Sequence, residues 1–283
     1  MRRGGRSAKV WLKPHLEEEA ISIKKGPDDR GPGHRRLVAV TGGPELLGQI
    51  VVVIGGSSGI GLATARHARA EGAEVIITAR DPERLKRAGD EVGARSTSAF
   101  DATDTPRLEA FVDALPVPID HLILTARGTY YARLADMDFD EARRAVDALL
   151  WLPLQVARLA AEKVRPGGTL LFMAGTDGRR PAVGLSAIGT VTLGLPALVQ
   201  SLAVELAPVR VNLIAAGFVD TPLSAALLGD RLEERRQQLR ATLPIGRVVG
   251  PADIAALAVH LMTNTAVTGA TFDIDGGQQL VSS

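Results

Sequence analysis

From Gln49 onward, short unbroken apolar runs alternate with longer stretches in which apolar residues recur at helical spacing. Ile50–Ile54 is β-branched throughout and reads as a strand, followed by a helix to about Ala70. Glu71-Gly72-Ala73 turns into a strand over Glu74–Thr78. Asp81 is placed to cap the next helix, and Pro82 suits its first turn. A short strand ends near Phe100, a helix covers Pro106–Leu115, and His121–Leu124 is a strand. A long helix is predicted from about Asp140 to Val164, then a strand over Thr169–Met173 behind Gly167-Gly168. A helix over roughly Ile188–Leu206, a strand over Val209–Ile214, a helix over Ala252–Met262 and a last strand over Thr271–Ile274 complete the series. Strands apolar on both faces and alternating with helices specify an α/β fold, a doubly wound parallel sheet with helices on both faces. Its ligand belongs beyond the C-terminal ends of the strands.

The rhythm fails before Gln49. Arg2, Arg3, Arg6, Lys9 and Lys13 are followed by Glu17-Glu18-Glu19 and by a Gly- and Pro-rich stretch, so residues 1–45 read as a flexible charged extension to one domain over 46–283. Thr41-Gly42-Gly43-Pro44 mimics a phosphate turn but opens no strand–turn–helix unit. A formal net charge of +1 gives no global reason to expect nucleic acid as a partner. The chain has no cysteine, which excludes disulfides and thiolate chemistry and fits a reducing, cytoplasmic setting. The histidines are scattered, and no metal site is expected. Pro181–Val204 carries no charge, but Gly184, Gly189, Gly194 and Pro196 interrupt it, so it reads as a buried or interface helix and no membrane partner is expected.

The first candidate chemistry is Gly55-Gly56-Ser57-Ser58-Gly59-Ile60-Gly61, which stands between the first strand and the first helix. Glycines there make a tight turn and admit a pyrophosphate to backbone N–H groups, where the helix dipole favours its charge. The second is Arg80, at the end of the second strand. Dinucleotide folds often carry a carboxylate at this point for the ribose 2′-hydroxyl, and a cation suits a 2′-phosphate instead. The cofactor expected is therefore NADP(H), with a solvated surface arginine as the alternative reading of Arg80 and with Asp81 as a competing neighbour.

From about Leu46 to Leu280 the residues resemble the short-chain dehydrogenase/reductase family, a Rossmann-type fold. Gly55-x-x-x-Gly59-x-Gly61 looks like its cofactor turn, with Ile54 in place of the usual threonine. Asp101 looks like its adenine-contacting aspartate, and Gly217-Phe218-Val219-Asp220-Thr221-Pro222 is similar to its nicotinamide loop, with Ala216 replacing a proline. Leu243-Pro244-Ile245-Gly246-Arg247 and Val267 to Gly277 look like its C-terminal signature. The resemblance implies cofactor contacts at Gly55, Ser57, Ser58, Gly59, Ile60, Gly61, Arg80, Asp101, Ala102, Ala126, Gly128, Gly217, Val219 and Thr221. It also implies a small-molecule substrate or ligand and a homo-oligomer, a dimer or tetramer, built on the helices near 140–164 and 188–206. Trp151, Leu152, Leu193, Leu195 and Leu198 are the apolar residues expected on those faces.

The family reduces carbonyls or oxidises alcohols by hydride transfer. A tyrosine supplies the proton, a lysine lowers the tyrosine's pKa and holds the nicotinamide ribose, a serine polarises the carbonyl and an asparagine supports a relay. Here the tyrosine position falls on Ile188, the lysine position on Thr192, the serine position on Gly175 and the asparagine position on Asp147. General acid–base catalysis is worth roughly 10²–10⁴-fold, so the inherited route loses most of its means. Tyr130, Tyr131 and Asp147 are the substitute donors available. Against them stand an aromatic lid for the tyrosines, and for Asp147 a pairing with Arg127, Arg143 or Arg144. Asp177, Arg179 and Arg180 either bind an anionic substrate or solvate a loop. Ser224–Thr242 reads as a helical lid. Two functions follow: an NADP(H)-dependent oxidoreductase with an atypical donor, or a redox-inactive NADP(H)-binding sensor or partner subunit.

Overall fold

A computed structural model describes residues 45–126 and 129–281. The extension expected over residues 1–45 lies, apart from Glu45, outside the described residues. Seven parallel strands form one sheet: β1 (Ile50–Ile54), β2 (Glu74–Ala79), β3 (Ser96–Ala99), β4 (Ile119–Leu124), β5 (Val164–Gly175), β6 (Arg210–Ala216) and β7 (Thr271–Ile274). Their order across the sheet is β3-β2-β1-β4-β5-β6-β7. The order reverses between β1 and β4, and the crevice for a ligand opens there.

The alternation of the strands builds two cores. Val52, Ile54, Leu122, Leu124, Leu170 and Phe172 face one side, under α3 (Thr105–Asp113), α5 (Leu152–Ala160) and α6 (Ser186–Glu205). Val51, Val53, Ile123, Leu171 and Ile214 face the other, under α1 (Gly59–Ala70), α2 (Pro82–Val92) and α9 (Pro251–Thr263). This is the doubly wound arrangement that the apolar pattern specified.

α6 is long and apolar enough to cross a membrane by length and composition alone. Its Ile188, Thr192, Leu195, Val199 and Leu202 are buried within the protomer, as a helix of the sheet's covering layer requires. The helix predicted from Asp140 to Val164 is broken into α4 (Phe139–Val146), a π turn over Asp147–Trp151, and α5, while Val164 already belongs to β5. Pro153 in the first turn of α5 removes a backbone donor, which accounts for the wider turn before it. Of the residues expected on an oligomer face, Trp151 and Leu193 are exposed, at 54% and 53%. Leu152 and Leu195 instead lie in the core, and Leu198 packs partly against it. Ser224–Thr242 becomes two helices, α7 (Pro222–Leu228) and α8 (Leu232–Thr242).

Candidate functional site

The glycine turn is built at the exit of β1 by contacts that leave no room for side chains. Gly55 has a φ of +100°, and a Cβ there would lie 2.6 Å from Thr125 Oγ1 and 2.7 Å from the Ala126 nitrogen. A Cβ on Gly61 would collide with the Gly55 carbonyl oxygen and lie 2.7 Å from Thr125 Oγ1. The Thr125 hydroxyl sits 3.1 Å from both the Ile54 and Gly55 carbonyl oxygens, so β4 clamps the turn from below. Sequence reasoning missed this clamp; the signal was a threonine leaving β4 next to the strand that feeds the turn. The N–H groups of Gly55 and Gly56 donate to Thr78 O at 3.0 and 2.8 Å, which fastens the turn to the end of β2.

α1 begins without a side-chain cap. Ser58 holds the N-cap position in extended conformation and makes no capping hydrogen bond, and the first turn contains no acidic residue. The first backbone bond into the helix runs from Leu62 N–H to Ser58 O at 3.2 Å. The N–H groups of Gly59, Ile60 and Gly61 before it have no intrahelical acceptor and present positive charge to the crevice. Ser57 belongs to the same turn. Gly59 lies against Thr221, with a Cβ at Gly59 placed 3.4 Å from Thr221 Cγ2, so the loop after β6 closes over the glycine turn.

Arg80 stands two residues past Thr78, beside this turn. Its side chain is 80% exposed and its Nη1 is 3.8 Å from Asp101 Oδ2, a long, exposed pairing that holds the guanidinium weakly. The competing carboxylate is occupied: Asp81 accepts from Arg84 N–H at 2.9 Å and caps α2. Asp101 follows Phe100, whose N–H donates to Ala79 O at 2.9 Å, so β3 delivers it to the same corner as Arg80. Partial burial pushes the Asp101 carboxyl up, but hydrogen bonds from the Thr103 N–H and hydroxyl, with Arg80 nearby, outweigh this and hold it below the usual carboxylate range. Ala102 is buried beside it. Ala126 lies at the Gly55 contact, and Gly128 lies outside the described residues.

The other end of the crevice is built differently. Ile188 and Thr192 are 2% and 4% exposed. The Thr192 hydroxyl donates back to Gly189 O at 3.1 Å, within its own helix. A single 3₁₀ turn, Asp177–Arg179, lies directly on this part of α6. A Cβ on Gly178 would lie 3.1 Å from Thr192 Oγ1 and would collide with Gly189 O. Gly175 ends β5 in register with Ala216 of β6. Ile188 and Thr192 are thus packed side chains, with a turn resting on their helix through Gly178.

The substitute donors lie apart from one another. Tyr130's hydroxyl accepts the Asp138 N–H at 2.6 Å, at the start of α4. Tyr131's hydroxyl donates to Asp177 Oδ1 at 3.1 Å, while Asp177 Oδ2 is buried without a hydrogen-bond partner among the described residues. Asp147 is exposed on the π turn, while Ala148 and Leu149 are buried. Nor does it pair with Arg143 or Arg144; Arg143 binds Asp140 at 2.7 Å, and Arg127 lies outside the described residues. Asp177, Arg179 and Arg180 each hold a partner within the protein, and Asp177 and Arg180 also line a cavity. Arg179 binds Asp273 at 2.9 Å, and Arg180 donates to the Val281 carbonyl oxygen.

The loop after β6 is also tied down. A Cβ on Gly217 would lie 2.6 Å from Asp275 Cβ, and Phe218 N–H donates to Gln278 Oε1 at 2.9 Å. Val219 is buried, and its carbonyl oxygen accepts from the Ser224 hydroxyl at 2.9 Å. Thr221 caps α7, its Oγ1 accepting Ser224 N–H at 3.2 Å. Asp220 holds Arg236 of α8 through two bonds of 2.8 and 2.9 Å, a latch that fixes the lid helix and that sequence reasoning missed. A cavity of about 410 Å³ lies between Leu134, the 177–186 loop and the Gly189–Leu193 flank of α6.

The comparisons agree with this architecture. The family model described as Enoyl-(Acyl carrier protein) reductase matches residues 54–279, from the last residue of β1 through β7. The chain belongs to the short-chain dehydrogenase/reductase family. It is 28% identical over 253 residues to the short-chain dehydrogenase/reductase malC of Malbranchea aurantiaca, covering 83% of this chain and 96% of that one. The structure of the MalC reductase/Diels-Alderase from that organism superposes with a TM-score of 0.77, covering 84% of this chain and 98% of that one at 28% identity. A small-chain dehydrogenase solved in complex with NADPH superposes with a TM-score of 0.72 at 26% identity, covering 82% of this chain and 99% of that one.

Proposed function

We propose that this family member binds NADP(H) in the β1–β2 half of the crevice and does not carry out the family's proton-coupled hydride transfer. The observation that carries the reading is the contrast between the open start of α1 beside an exposed Arg80 and the closed face of α6 at Ile188 and Thr192. The open corner suits a pyrophosphate and a 2′-phosphate. The closed face offers no phenol, ammonium or serine hydroxyl at the family's positions. The relative solved with NADPH supports the choice of cofactor. In this reading the chain acts as a sensor or as the non-catalytic subunit of an oligomer, and exposed Trp151 and Leu193 support self-association. NADP(H), when bound, supplies a transferable hydride at its nicotinamide. The chain's own residues hold the phosphates and the adenosine.

One observation favours a second reading, an oxidoreductase with a substitute acid. Tyr131 and Asp177 are hydrogen-bonded at the exit of β5, where a carbonyl would be protonated. Titration of the full chain with NADPH and NADH, followed by turnover on the same preparation with a panel of ketones and alcohols, separates the two. Tighter NADPH binding without turnover is expected. Ketone-dependent NADPH oxidation supports the second reading, and failure to bind either nucleotide overturns both.

A further inference from the structure

The cavity beside α6 has walls that the chain holds in place. Ala132 N–H donates to Gly184 O at 3.3 Å, which joins the segment after β4 to the loop after β5. Gly189 N–H donates to Leu185 O at 2.7 Å and Gly178 rests on Gly189, so that loop is seated on the start of α6. The volume of about 410 Å³ suits a small molecule. Leu134, Val183 and Leu193 form an apolar wall, each more than half exposed. Asp177 and Arg180 line the same space, and the protein leaves their charges in different states. Asp177 Oδ1 accepts from a neutral donor, the Tyr131 hydroxyl, at 3.1 Å, and Oδ2 is buried with no hydrogen-bond partner among the described residues. A buried carboxylate oxygen is costly unless a donor or a cation meets it, and native structures leave few in that condition. Arg179 is turned to Asp273 and Arg180 to the Val281 carbonyl oxygen, so neither is bonded to Asp177. Arg180 is exposed, and water screens its charge. The Asp177 oxygen is shielded from water, so its negative charge is the less screened of the two.

We infer that this cavity is a second ligand site, which takes a small molecule carrying an ammonium group on an apolar body, and that Asp177 selects the charge. The ammonium supplies the positive charge that the described residues do not bring to Asp177, and the apolar body covers Leu134, Val183 and Leu193. The inference goes beyond the NADP(H)-binding reading and stands without it, because none of the residues assigned to the nucleotide lines the cavity.

The test is calorimetry on the full chain at neutral pH with three probes of one carbon skeleton: cyclohexylmethylamine, cyclohexylmethanol and cyclohexanecarboxylate. The amine is expected to bind about tenfold or more tightly than the alcohol, and the carboxylate more weakly than either. Asp177→Asn is expected to bring the amine down to the level of the alcohol and to leave the alcohol within about twofold of its parent value. Val183→Lys, on a wall residue that is 75% exposed, adds a cation without disturbing the fold and is expected to weaken the amine about threefold or more. Should Asp177→Asn fail to fold, the probe order in the parent and the Val183→Lys variant decide. The inference is overturned if the carboxylate or the alcohol matches the amine, if none of the three binds, or if folded variants leave the amine's affinity unchanged. NADPH titrated into the parent preparation keeps the two readings apart. Amine binding without NADPH binding removes the NADP(H) reading alone, and NADPH binding without amine binding removes this inference alone.

Discussion

The corner where β1 and β2 end and the corner where β5 and β6 end lie on one edge of one sheet, yet they treat polar groups in opposite ways. At the first, glycine removes side chains so that backbone donors face outward, and the nearest carboxylate, Asp81, is turned away to cap α2. At the second, glycine removes side chains so that protein can meet protein: Gly178 lets a turn rest on α6, and Gly217 lets the loop after β6 rest on Asp275. The same residue type thus builds an open cradle in one place and a closed joint in the other. Glycine in a sequence marks close approach, and only the partner of that approach decides whether a ligand enters.

Substitutions at the two corners sharpen the contrast. The largest effect is expected at Gly61→Ala, because the added carbon meets both the Gly55 carbonyl and the Thr125 hydroxyl. Displacing that turn is expected to cost about 3 kcal/mol of stability and to lower NADPH affinity about a hundredfold or more, read by denaturant melts and calorimetry. At the closed corner, Ile188→Tyr with Thr192→Lys restores the family's residue types in a space already filled. This pair is expected to destabilise the fold by about 2–4 kcal/mol, from overpacking at two buried positions, and to create no ketone reductase. A stable double variant with new reductase activity would show that the corner is open.

A third expectation concerns neither corner and separates stability from binding. His121 lies in the first half of the central strand β4, fully buried, with Nε2 2.7 Å from Gln49 Oε1 and Nδ1 without a partner among the described residues. Burial pushes its pKa down from 6.5 to about 3, against the pull of Asp120 and with the help of Arg210 and Arg165. Above pH 6.5 the ring is neutral in both states, so its contribution to stability is fully present. As pH falls from 6.5 towards 3 the unfolded chain takes up the proton first and stability declines, by about 2–3 kcal/mol at pH 4.5. His121→Gln is expected to flatten that slope in acid melts and to leave NADPH affinity at neutral pH unchanged.

The smallest effect is expected at Tyr131→Phe. Losing the hydroxyl that donates to Asp177 costs about 1 kcal/mol. Nucleotide binding and any background reduction are expected to stay as in the parent. A selective fall in ketone-dependent NADPH oxidation would instead assign Tyr131 a catalytic role.

Most of the sheet was legible in the sequence because its central strands are apolar on both faces; β1 and β7 match their predicted spans, and most other ends differ by a residue or two. The break at Asp147–Trp151 was not legible, because apolar spacing continues across it and only Pro153 hinted at the change. The glycine cradle could be read because its donors come from consecutive residues. The closure of α6 could not. It depends on Gly178 and Gly189 meeting across 11 residues of chain, and on Tyr131 reaching Asp177 across 46. The exposure of Asp147 could not be read either, because a π turn changes which face a residue takes.

The most direct test of the account follows the hydride itself. The full chain is saturated with NADPH deuterated at nicotinamide C4, saturation is verified by calorimetry, and the preparation is incubated with a panel of ketones and aldehydes whose alcohols are then analysed by mass spectrometry. Bound nucleotide is expected, with no deuterium in any alcohol above the protein-free control. Stereospecific deuterium in even one product would contradict it.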